Sequence, residues 1–378
     1  MRIAINAMSL RKGGTVIALS KLLTQMVELE PNHEFYILAN GTLPKLLRLD
    51  HPSVRYHYFS WVSGSSLRTV LWYTFVLPYW LARNRIDVLF SSSCYLPLSR
   101  PRRTVLLVQD AKYFYNSKDL LNRFSMMQRL MFHLRRYWTY YSVSVADSVV
   151  VQSESLGDRV KEHVPSASSR ISTIPHGPGF LDGPQNGGSA RYTTSDTLEV
   201  AYVALYRTYK NFKVLIDALK LLRTKGIPIR LHLTLDVLDD TGARSVMSYA
   251  RRIGVEELIV NHGELDKDRL SELYRIANLF VFPSTCESFG FPQVEAMAFG
   301  LPILVADTPV NHEICSYAAI YFPREDDAQL AALIERIYRE PSRLTVASKR
   351  SETRARDFDW TVAARRTLIC LTGGLSAS

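Results

Sequence analysis

The sequence predicts an α/β protein with two doubly wound domains in tandem. Short β-branched runs alternate with longer segments of helical periodicity, which is the pattern of βαβ units and parallel sheets. The alternation stops at Gly177–Thr197, a stretch rich in Gly, Pro, Ser and Thr, and then resumes. With 378 residues, the chain is long enough for two domains that each bury a core. We therefore expect two sheets with a ligand cleft between the domains.

Seven strands and three long helices are predicted in the first half. The strands are short apolar or β-branched runs at Ile3–Asn6, Glu34–Leu38, Val54–Tyr58, Asp87–Phe90, Thr104–Val108, Ser148–Val151 and Ile171–Ile174. The helices are expected at Val16–Leu29, Leu120–Tyr141 and Leu156–His163.

A second alternating series follows the linker. Its strands are expected at Glu199–Val203, Arg230–Leu235, Leu258–Asn261, Leu279–Phe282, Ile303–Ala306 and Ile320–Phe322. Its helices are expected at Phe212–Lys225, Ala243–Gly254, Lys267–Ile276, Phe291–Ala298 and Asp327–Arg339. A last helix, around Trp360–Leu371, has no strand after it and is expected to pack back toward the first domain. The predicted parts are a first domain, a linker, a second domain and a C-terminal helix, at residues 1–180, 181–197, 198–354 and 355–378.

The composition is that of an ordinary globular protein, with 47% hydrophobic and 22% charged residues. It excludes a disordered, a fibrous or a multi-span membrane protein. The net charge of +10 lies in the first half: residues 1–180 contain 22 Lys and Arg against 11 Asp and Glu, whereas the rest contain 24 against 25. A one-sided basic surface indicates an anionic partner such as a membrane face, a pyrophosphate-bearing substrate or nucleic acid, although a solvated basic surface gives the same pattern.

Cysteine usage and hydropathy predict a cytoplasmic protein that does not span a membrane. The four cysteines lie far apart, without a CxxC pair or a zinc-type spacing, which indicates a reducing compartment. The apolar run at Met1–Asn6 is too short for a signal peptide and is expected to be the first strand. The apolar stretch Thr69–Ala82 contains Pro78 and falls short of the ~20 residues that a spanning helix needs.

The densest motif lies at residues 282–302, where a strand, a loop and a helix follow one another. The loop carries Glu287 and Gly290, and Pro292 suits the first turn of the helix. A helix N-terminus at the carboxyl edge of a parallel sheet is an anion site. Glu287 and the helical Glu295 would repel phosphate, so sugar or ribose hydroxyls are their expected partners. A helix-capping Glu287 and a solvated Glu295 are the alternative.

Several segments of the chain resemble one enzyme family. The retaining family 4 glycosyltransferases carry a Glu-seven-Glu block, which is similar to ESFGFPQVEAMAFGLPILVAD here. Similarity continues in LDKDRLSELYRIANLFVFPS, TPVNHEI, ADSVVVQSE, TIPHG and DVLFSSSCYLPL, so it covers most of the chain. The resemblance implies the GT-B fold, with two Rossmann-like domains facing across a cleft. It also implies that a hexose is moved from a nucleotide-diphosphate sugar, for example GDP-mannose or a UDP- or TDP-sugar, without a cofactor or metal.

The resemblance implies a donor site in the second domain. Glu295 matches the glutamate that holds the ribose hydroxyls, and Glu287 matches the one beside the transferred sugar. Lys210 matches the lysine that neutralises the diphosphate leaving group, where charge builds in the transition state. Further donor contacts from this domain are expected at Gly263, Ser288, Phe289, Gly290 and Phe291.

Two positions depart from the family pattern. The family usually has an arginine directly after a glycine at the end of the preceding strand, but this chain has Ala204 and Leu205 there; we predict that Arg207 takes that catalytic role. Gln109-Asp110 stands where the family often has His-Asp, and glutamine cannot act as a base. A same-face mechanism, in which the leaving phosphate accepts the acceptor proton, needs no protein base. Gln109 and Asp110 would then bind sugar or acceptor hydroxyls, or Asp110 would be a turn residue.

Three further motifs have weaker signals. Gly13 and Gly14 resemble the loop that closes on the donor diphosphate, although a tight turn would use the same residues. His176 resembles the hinge position of the family and is expected to be structural. The Asp266-Lys267-Asp268 run has the DxD form of a metal site, but its position before a helix predicts capping instead.

The resemblance implies that the acceptor binds the first domain, which is where the charge excess lies. Arg100, Arg102 and Arg103 cluster there, and Phe124–Trp138 mixes Met, aromatic and Arg residues as interfacial helices do; a core-facing helix with a basic rim is equally consistent. We expect a saccharide or a lipid-pyrophosphate-linked acceptor in polysaccharide or glycolipid biosynthesis, with peripheral attachment at the inner face of a membrane.

Two other functions compete with this one. A nucleotide-sugar epimerase would need acid–base groups in the cleft, which Gln109 argues against. A non-catalytic nucleotide-binding or nucleic-acid-binding protein would fit the basic charge. However, the aromatic residues form no RNA-binding motif, and the Glu287 and Glu295 pair would repel a phosphate backbone, so no nucleic-acid partner is expected.

Overall fold

The computed structural model describes residues 1–10, 14–41, 49–115, 121, 125–179 and 197–374. The chain divides into two compact units, Met1–His176 with Asp359–Ser378, and Gly177–Phe358. Each unit contains one parallel sheet with helices, which confirms the predicted pair of Rossmann-like α/β domains. The predicted linker, 181–197, lies outside the described residues except for its last position.

The first unit contains a seven-stranded sheet in the order β3-β2-β1-β4-β5-β6-β7, with every neighbouring pair parallel. Its strands are β1 (Arg2–Asn6), β2 (Glu34–Ala39), β3 (Val54–Tyr58), β4 (Val88–Ser91), β5 (Arg103–Val108), β6 (Ser148–Val151) and β7 (Ile171–Thr173). Within the described ranges, its longer helices up to the unit boundary are α1 (Gly14–Leu29), α2 (Ser66–Leu71), α3 (Leu77–Arg83), α4 (Met126–Val145) and α5 (Glu154–His163). A π-helical turn, Trp72–Val76, joins α2 to α3.

The second unit contains a six-stranded parallel sheet in the order β10-β9-β8-β11-β12-β13. Its strands are β8 (Leu198–Tyr202), β9 (Ile229–Leu233), β10 (Ile259–Asn261), β11 (Leu279–Phe282), β12 (Ile303–Ala306) and β13 (Ala319–Phe322). Its helices are α6 (Phe212–Thr224), α7 (Thr241–Arg252), α8 (Lys267–Ile276), α9 (Phe291–Ala298), α10 (Pro309–Cys315), α11 (Asp327–Arg339) and α12 (Ser342–Ala355).

The inner strands of both sheets are largely apolar and buried, as expected where helices cover both faces of a sheet. All four residues of β6, β11 and β12 are buried. Helix α1 buries Leu19, Leu22, Leu23 and Met26, the three- and four-residue spacing of an amphipathic helix. This packing fixes the carboxyl ends of the strands, where the site residues lie.

The last helix, α13 (Trp360–Thr372), belongs to the first unit. Thr361 Oγ1 donates to Gln25 Oε1 of α1 at 2.7 Å. Arg103 Nε, at the start of β5, donates to the carbonyl oxygen of Cys370 at 2.8 Å. The chain thus returns to its first domain after completing the second, and Arg103 is used for this packing.

Some helices differ from the expectation. Helix α4 begins at Met126 because Ser125 and Gln128 form a capping box there. The sequence reading did not predict α2, α3, α10 and α12; Pro78 is tolerated because it lies in the first turn of α3. Among the described residues, none of the helices is long and apolar enough to cross a membrane.

Candidate functional site

The strand order of the second sheet reverses between β8 and β11, because β9 and β10 are added on one side of β8 and β12 and β13 on the far side of β11. Ligands of doubly wound sheets bind at the carboxyl edge of such a pair. The segments that follow these two strands, residues 203–211 and 283–290, meet at this point. They contain Arg207 and five of the eight donor-site residues predicted in the second domain.

Lys210 and Glu287 form an ion pair where the two segments meet. Lys210 Nζ lies 2.5 Å from Glu287 Oε1, and the side chains are only 13% and 11% exposed. The ammonium group also lies 5.3 Å from the ring centroid of Phe282, and the buried Tyr202 hydroxyl donates to the carbonyl oxygen of Lys210 at 2.8 Å. Shielding from water strengthens the action of these charges on a ligand. The pairing excludes a helix-capping role for Glu287.

Hydrogen bonds to one carbonyl group hold the two segments together. The carbonyl oxygen of Tyr209 accepts from Thr285 N at 2.8 Å, from Thr285 Oγ1 at 3.2 Å and from Ser284 Oγ at 3.3 Å. Asn211, at a φ of +51°, donates from Nδ2 to the carbonyl oxygen of Arg324 at 2.7 Å. Backbone contacts therefore position the lysine and the glutamate independently of their own ion pair.

Helix α9 begins directly after the second segment. Gly290 has a φ of +89°, and a Cβ there would lie 2.5 Å from Gln293 Nε2, so the position requires glycine. Gln293 Nε2 donates to the carbonyl oxygen of Phe289 at 3.0 Å. Phe289 is fully buried and packs edge-on against Phe358. The helix N-terminus at Phe291 follows the carboxyl end of β11, which makes it a favourable position for an anion.

Glu295, inside α9, is only 4% exposed, which excludes a solvated side chain. Tyr274 OH donates to Glu295 Oε2 at 2.9 Å. Burial and the neighbouring Glu295 charge raise the pKa of Tyr274 well above its ordinary value, so the phenol remains a donor. A Cβ on Gly179 would lie 2.5 Å from Glu295 Oε1 and 3.0 Å from Phe291 Cβ, so only glycine allows the backbone to approach this carboxylate.

Three other predicted residues follow the carboxyl ends of strands in the same sheet. Arg207 is 57% exposed; its Nη1 donates to the carbonyl oxygen of Tyr206 at 2.6 Å and lies 4.0 Å from Asp240 Oδ2. Among the described residues its guanidinium group makes no contact with the buried ion pair. Gly263 has a φ of +70° just after β10, and Ser288 is half-buried before α9.

The sequence did not predict a hydrogen-bonded chain of side chains that links β8, β9 and the end of β10. Glu199 Oε2 lies 2.7 Å from His232 Nε2, and His232 Nδ1 lies 2.9 Å from His262 Nε2. Burial, followed by the charge on His232, lowers the pKa of His262. These residues meet only through the pairing of β8, β9 and β10, so strand register was the only signal that could have revealed them.

The first unit has a cavity of about 490 Å³ at the carboxyl ends of β1, β4 and β5. Gln109 and Asp110 both line it. Gln109 Nε2 lies 3.4 Å from the carbonyl oxygen of Ser92, whereas Gln109 Oε1 is buried without a hydrogen-bond partner among the described residues. Asp110 Oδ2 accepts from Lys112 Nζ at 2.9 Å. Both predicted residues are therefore placed where they can meet a ligand.

Aromatic side chains also line this cavity. The ring of Trp138 lies 5.1 Å from that of Tyr73 and 5.3 Å from that of Tyr95. Tyr95 OH lies 3.3 Å from Tyr113 OH, and burial together with the Asp110 charge raises the pKa of Tyr113 to about 12. Aromatic rings and polar groups can together bind a ligand that has an apolar face and hydroxyls.

Of the two glycines predicted to contact the donor from the first domain, only Gly14 lies among the described residues. Gly14 is the first residue of α1, next to Thr15, which lines the cavity. Gly13 lies outside the described residues.

His176 and Asp266 have structural contacts. His176 is fully buried at the unit boundary, 3.0 Å from Gln152 Nε2 through its Nδ1, and its ring centroid lies 5.0 Å from that of Trp360. Burial lowers the pKa of His176 to about 3, so the ring is neutral. Asp266 Oδ1 accepts from Arg269 N at 2.9 Å and caps α8.

Comparisons with known proteins match both halves of the chain. The family described as Glycosyl transferases group 1 matches residues 192–354, and Glycosyltransferase Family 4 matches residues 12–177. The O-antigen chain mannosyltransferase RfbU of Salmonella typhimurium is 25% identical over 286 residues, with 74% of each chain covered. Mannosylfructose-phosphate synthase of Agrobacterium fabrum is 28% identical over 179 residues, 44% of this chain and 38% of that protein. The structure of Anabaena Alr3699/HepE in complex with UDP-glucose has a TM-score of 0.74 at 16% identity, covering 99% of this chain and 100% of the other.

Proposed function

We propose a donor, an acceptor class and a reaction course for this chain from one premise: it belongs to the group 1 glycosyltransferases of the family 4 type. The donor is a nucleotide-diphosphate sugar, and the group moved is a hexose. The acceptor is a saccharide or a lipid-pyrophosphate-linked saccharide. The UDP-glucose complex of the Anabaena protein, which shares the fold, supports this class of donor.

The observation that carries the proposal is the buried Lys210–Glu287 pair beside the N-terminus of α9. Lysine and helix N-terminus together favour a diphosphate, and two glutamates, Glu287 and Glu295, accept hydrogen bonds from sugar and ribose hydroxyls. The main chain at Phe289, Gly290 and Phe291 binds the sugar or the phosphate of the donor. Ser288 and Gly263 add further donor contacts.

The transfer breaks the bond between the sugar C1 and the β-phosphate oxygen and forms a bond from C1 to the acceptor oxygen. Negative charge builds on the departing diphosphate, so the Lys210 ammonium stabilises the transition state more than the ground state. The acceptor proton passes to the leaving phosphate on the same face of the sugar, which retains the anomeric configuration. Gln109 stands where a base would otherwise act and instead binds hydroxyls with Asp110.

Arg207 supplies a second positive charge to the diphosphate in this scheme. Its exposed guanidinium group contacts Tyr206 and Asp240, so the side chain has to turn toward the donor to take this role. The aromatic and polar cavity of the first unit receives the acceptor. No metal takes part, because lysine, arginine and the helix N-terminus neutralise the diphosphate. The basic first half places the enzyme at the inner face of a membrane.

Thermal shift is the direct test. The purified protein is heated with UDP, GDP, TDP and ADP and with their common sugars, with magnesium or with a chelator. A ligand that binds only the folded state raises the melting temperature by mass action. We expect one nucleotide to raise it equally in both conditions. A shift that requires magnesium would overturn the metal-free scheme, and no shift with any nucleotide sugar would overturn the donor assignment.

A further inference from the structure

We propose that the first unit docks on an anionic lipid bilayer through two neighbouring helical segments. The docking surface consists of the exposed apolar side chains of α4 and of the α2–π–α3 segment, represented by Leu67, Phe75, Tyr79, Met127, Leu130 and Tyr137. Their side chains are between 53% and 75% exposed. The docking itself is independent of the chemistry proposed above; what it says about the acceptor rests on that proposal.

Helix α4 has two apolar faces that point in opposite directions. Exposed apolar side chains occupy positions 126, 127, 130, 134 and 137, which fall within an arc of about 100° at 3.6 residues per turn. The buried side chains, at positions 132, 139, 142 and 143, fall on the opposite side of the helix. The exposed apolar arc is therefore not the edge of the core. It is a separate face that nothing else in the described part of the first unit covers.

Arginines flank this face as in interfacial helices. Arg129 and Arg136 lie along one border of the exposed arc of α4, and Arg135 lies beyond the other. Long arginine side chains at such borders can reach lipid phosphates while the apolar face enters the acyl region.

The α2–π–α3 segment repeats the pattern. Leu67, Leu71, Phe75 and Tyr79 are exposed at four-residue steps. On a regular α-helix, side chains four residues apart are rotated by about 40° around the helix axis. The wider i→i+5 turn at Trp72–Val76 offsets part of this rotation. Trp72, Tyr73, Leu77 and Leu81 are buried along the other side.

The exposed apolar side chains of the two helical segments reach the cavity of the first unit. Val70 of α2 and Leu134 of α4 are both exposed apolar side chains, and both line that cavity. Behind them, the rings of Tyr73 and Trp138 join the two helical segments at 5.1 Å. A molecule that enters the cavity between the two helical segments would therefore reach Gln109 and Asp110.

The positive charge of this part of the chain identifies the partner of the docking surface as an anionic bilayer. Residues 51–145 contain 13 Lys and Arg against three Asp and Glu, so this stretch alone has a charge of +10, equal to that of the whole chain. Two copies of this basic stretch repel each other, whereas phosphatidylglycerol-like headgroups attract it, and Arg129 and Arg136 place part of its charge at the border of the exposed arc. Six large exposed apolar side chains favour a bilayer over nucleic acid, which offers them no apolar phase. The acceptor at the cavity is then an amphiphile whose lipid stays in the leaflet while its saccharide enters the cavity.

Vesicle co-sedimentation of the full chain tests the docking surface. We expect binding to phosphatidylcholine vesicles that contain phosphatidylglycerol, little binding to pure phosphatidylcholine, and loss of binding at high salt. Arg129→Gln with Arg136→Gln should weaken binding at least tenfold, at about 1 kcal/mol for each arginine. Met127→Gln with Leu130→Gln should weaken it comparably, because the apolar contribution is lost.

Matched controls lie in the second unit. Arg251→Gln with Arg252→Gln removes two cations, and Leu238→Gln removes a side chain that is 85% exposed. These variants should bind vesicles as the parent does. Equal loss in the controls, binding that ignores lipid charge, or apolar variants that change only dimerisation or oligonucleotide binding would each overturn the proposal. The nucleotide-induced thermal shift of every variant should match that of the parent, so a missing shift reports failure of the donor assignment and not of docking.

Discussion

Lys210 Nζ and Glu287 Oε1 lie 2.5 Å apart although the residues are 77 positions apart in the sequence. Both side chains are nearly buried, so removing one leaves the other charge without a partner in a poorly solvated place. Breaking the pair therefore costs stability, whereas replacing both charges need not, so substitutions can separate the stability effect from the proposed chemistry.

Lys210→Met should lower the turnover number by about 10²- to 10³-fold, the range for losing one fixed electrostatic group. It should also lower the free energy of unfolding by about 3 kcal/mol because Glu287 becomes unpaired. The double variant Lys210→Met with Glu287→Leu should regain most of the stability but not the turnover. Steady-state kinetics and urea unfolding measure the two effects.

Lys213→Met is the control for that experiment. Lys213 is 71% exposed and pairs with Asp217 at the surface, so its loss should change both quantities little. Normal turnover in Lys210→Met would remove the leaving-group argument.

Glu295→Gln should weaken nucleotide-sugar binding by about 10- to 100-fold, because hydrogen bonds from ribose hydroxyls to a charged acceptor are stronger than those to an amide. The fold should survive, since glutamine can still accept the Tyr274 hydroxyl hydrogen bond. Titration calorimetry with the nucleotide identified by thermal shift measures the change. Glu272→Gln, on the exposed face of α8, should bind normally; equal weakening there would contradict a specific role for Glu295.

The sequence was sufficient to place the strands but not to place the starts and bends of the helices. Apolar β-branched runs predicted the strand positions to within two residues, because strands buried on both faces leave a strong pattern. The capped start of α4 and the π turn depend on local hydrogen bonds that periodicity does not reveal.

The site residues also fall into those that the sequence predicted and those that only the tertiary fold reveals. The loop motif led to Glu287 and Gly290, whereas the Tyr274 hydroxyl bond to Glu295, the approach of Gly179 and the Glu199–His232–His262 chain need the tertiary fold. Arg207 shows a limit of spacing: its sequence position near Lys210 does not direct its side chain to the ion pair.

Gly290→Ala should destabilise the second unit more than Gly226→Ala does. Both glycines have a positive φ, +89° and +66°, so both alanines carry the left-handed backbone cost of about 1–2 kcal/mol. Only at Gly290 does the new Cβ meet another group, Gln293 Nε2, whose hydrogen bond to Phe289 would then be displaced. Melting temperatures of the two variants give the comparison, and equal losses would show that the Gln293 contact has no weight.

Arg207→Gln should lower turnover about tenfold, less than Lys210→Met, because water screens an exposed guanidinium more than a buried ammonium. Arg244→Gln removes another exposed arginine, one that donates to the carbonyl oxygens of Val237 and Leu238, and should leave turnover unchanged. A turnover in Arg207→Gln equal to that of the parent would assign the second cation to another residue.

His176 should make stability depend on pH in the acidic range. Burial lowers the pKa of the folded ring to about 3, whereas the ring in an unfolded chain titrates near its ordinary value of 6.5. Below pH 6.5 the unfolded chain therefore binds a proton that the folded protein does not. The stabilising contribution is complete above pH 6.5 and decreases by about 1.4 kcal/mol for each pH unit down to pH 3, or about 2 kcal/mol by pH 5.

His176→Asn removes this proton uptake, so the variant should lose about 2 kcal/mol less than the parent between pH 7.5 and pH 5. The variant also loses the ring contact with Trp360, so its stability is expected to be lower at neutral pH. The pH slope, measured by urea unfolding, separates these effects, because only the titrating ring changes it. His312→Asn replaces an exposed histidine and should keep the parent slope. Parallel slopes for His176→Asn and the parent would mean that the buried ring takes up its proton in the folded protein as well.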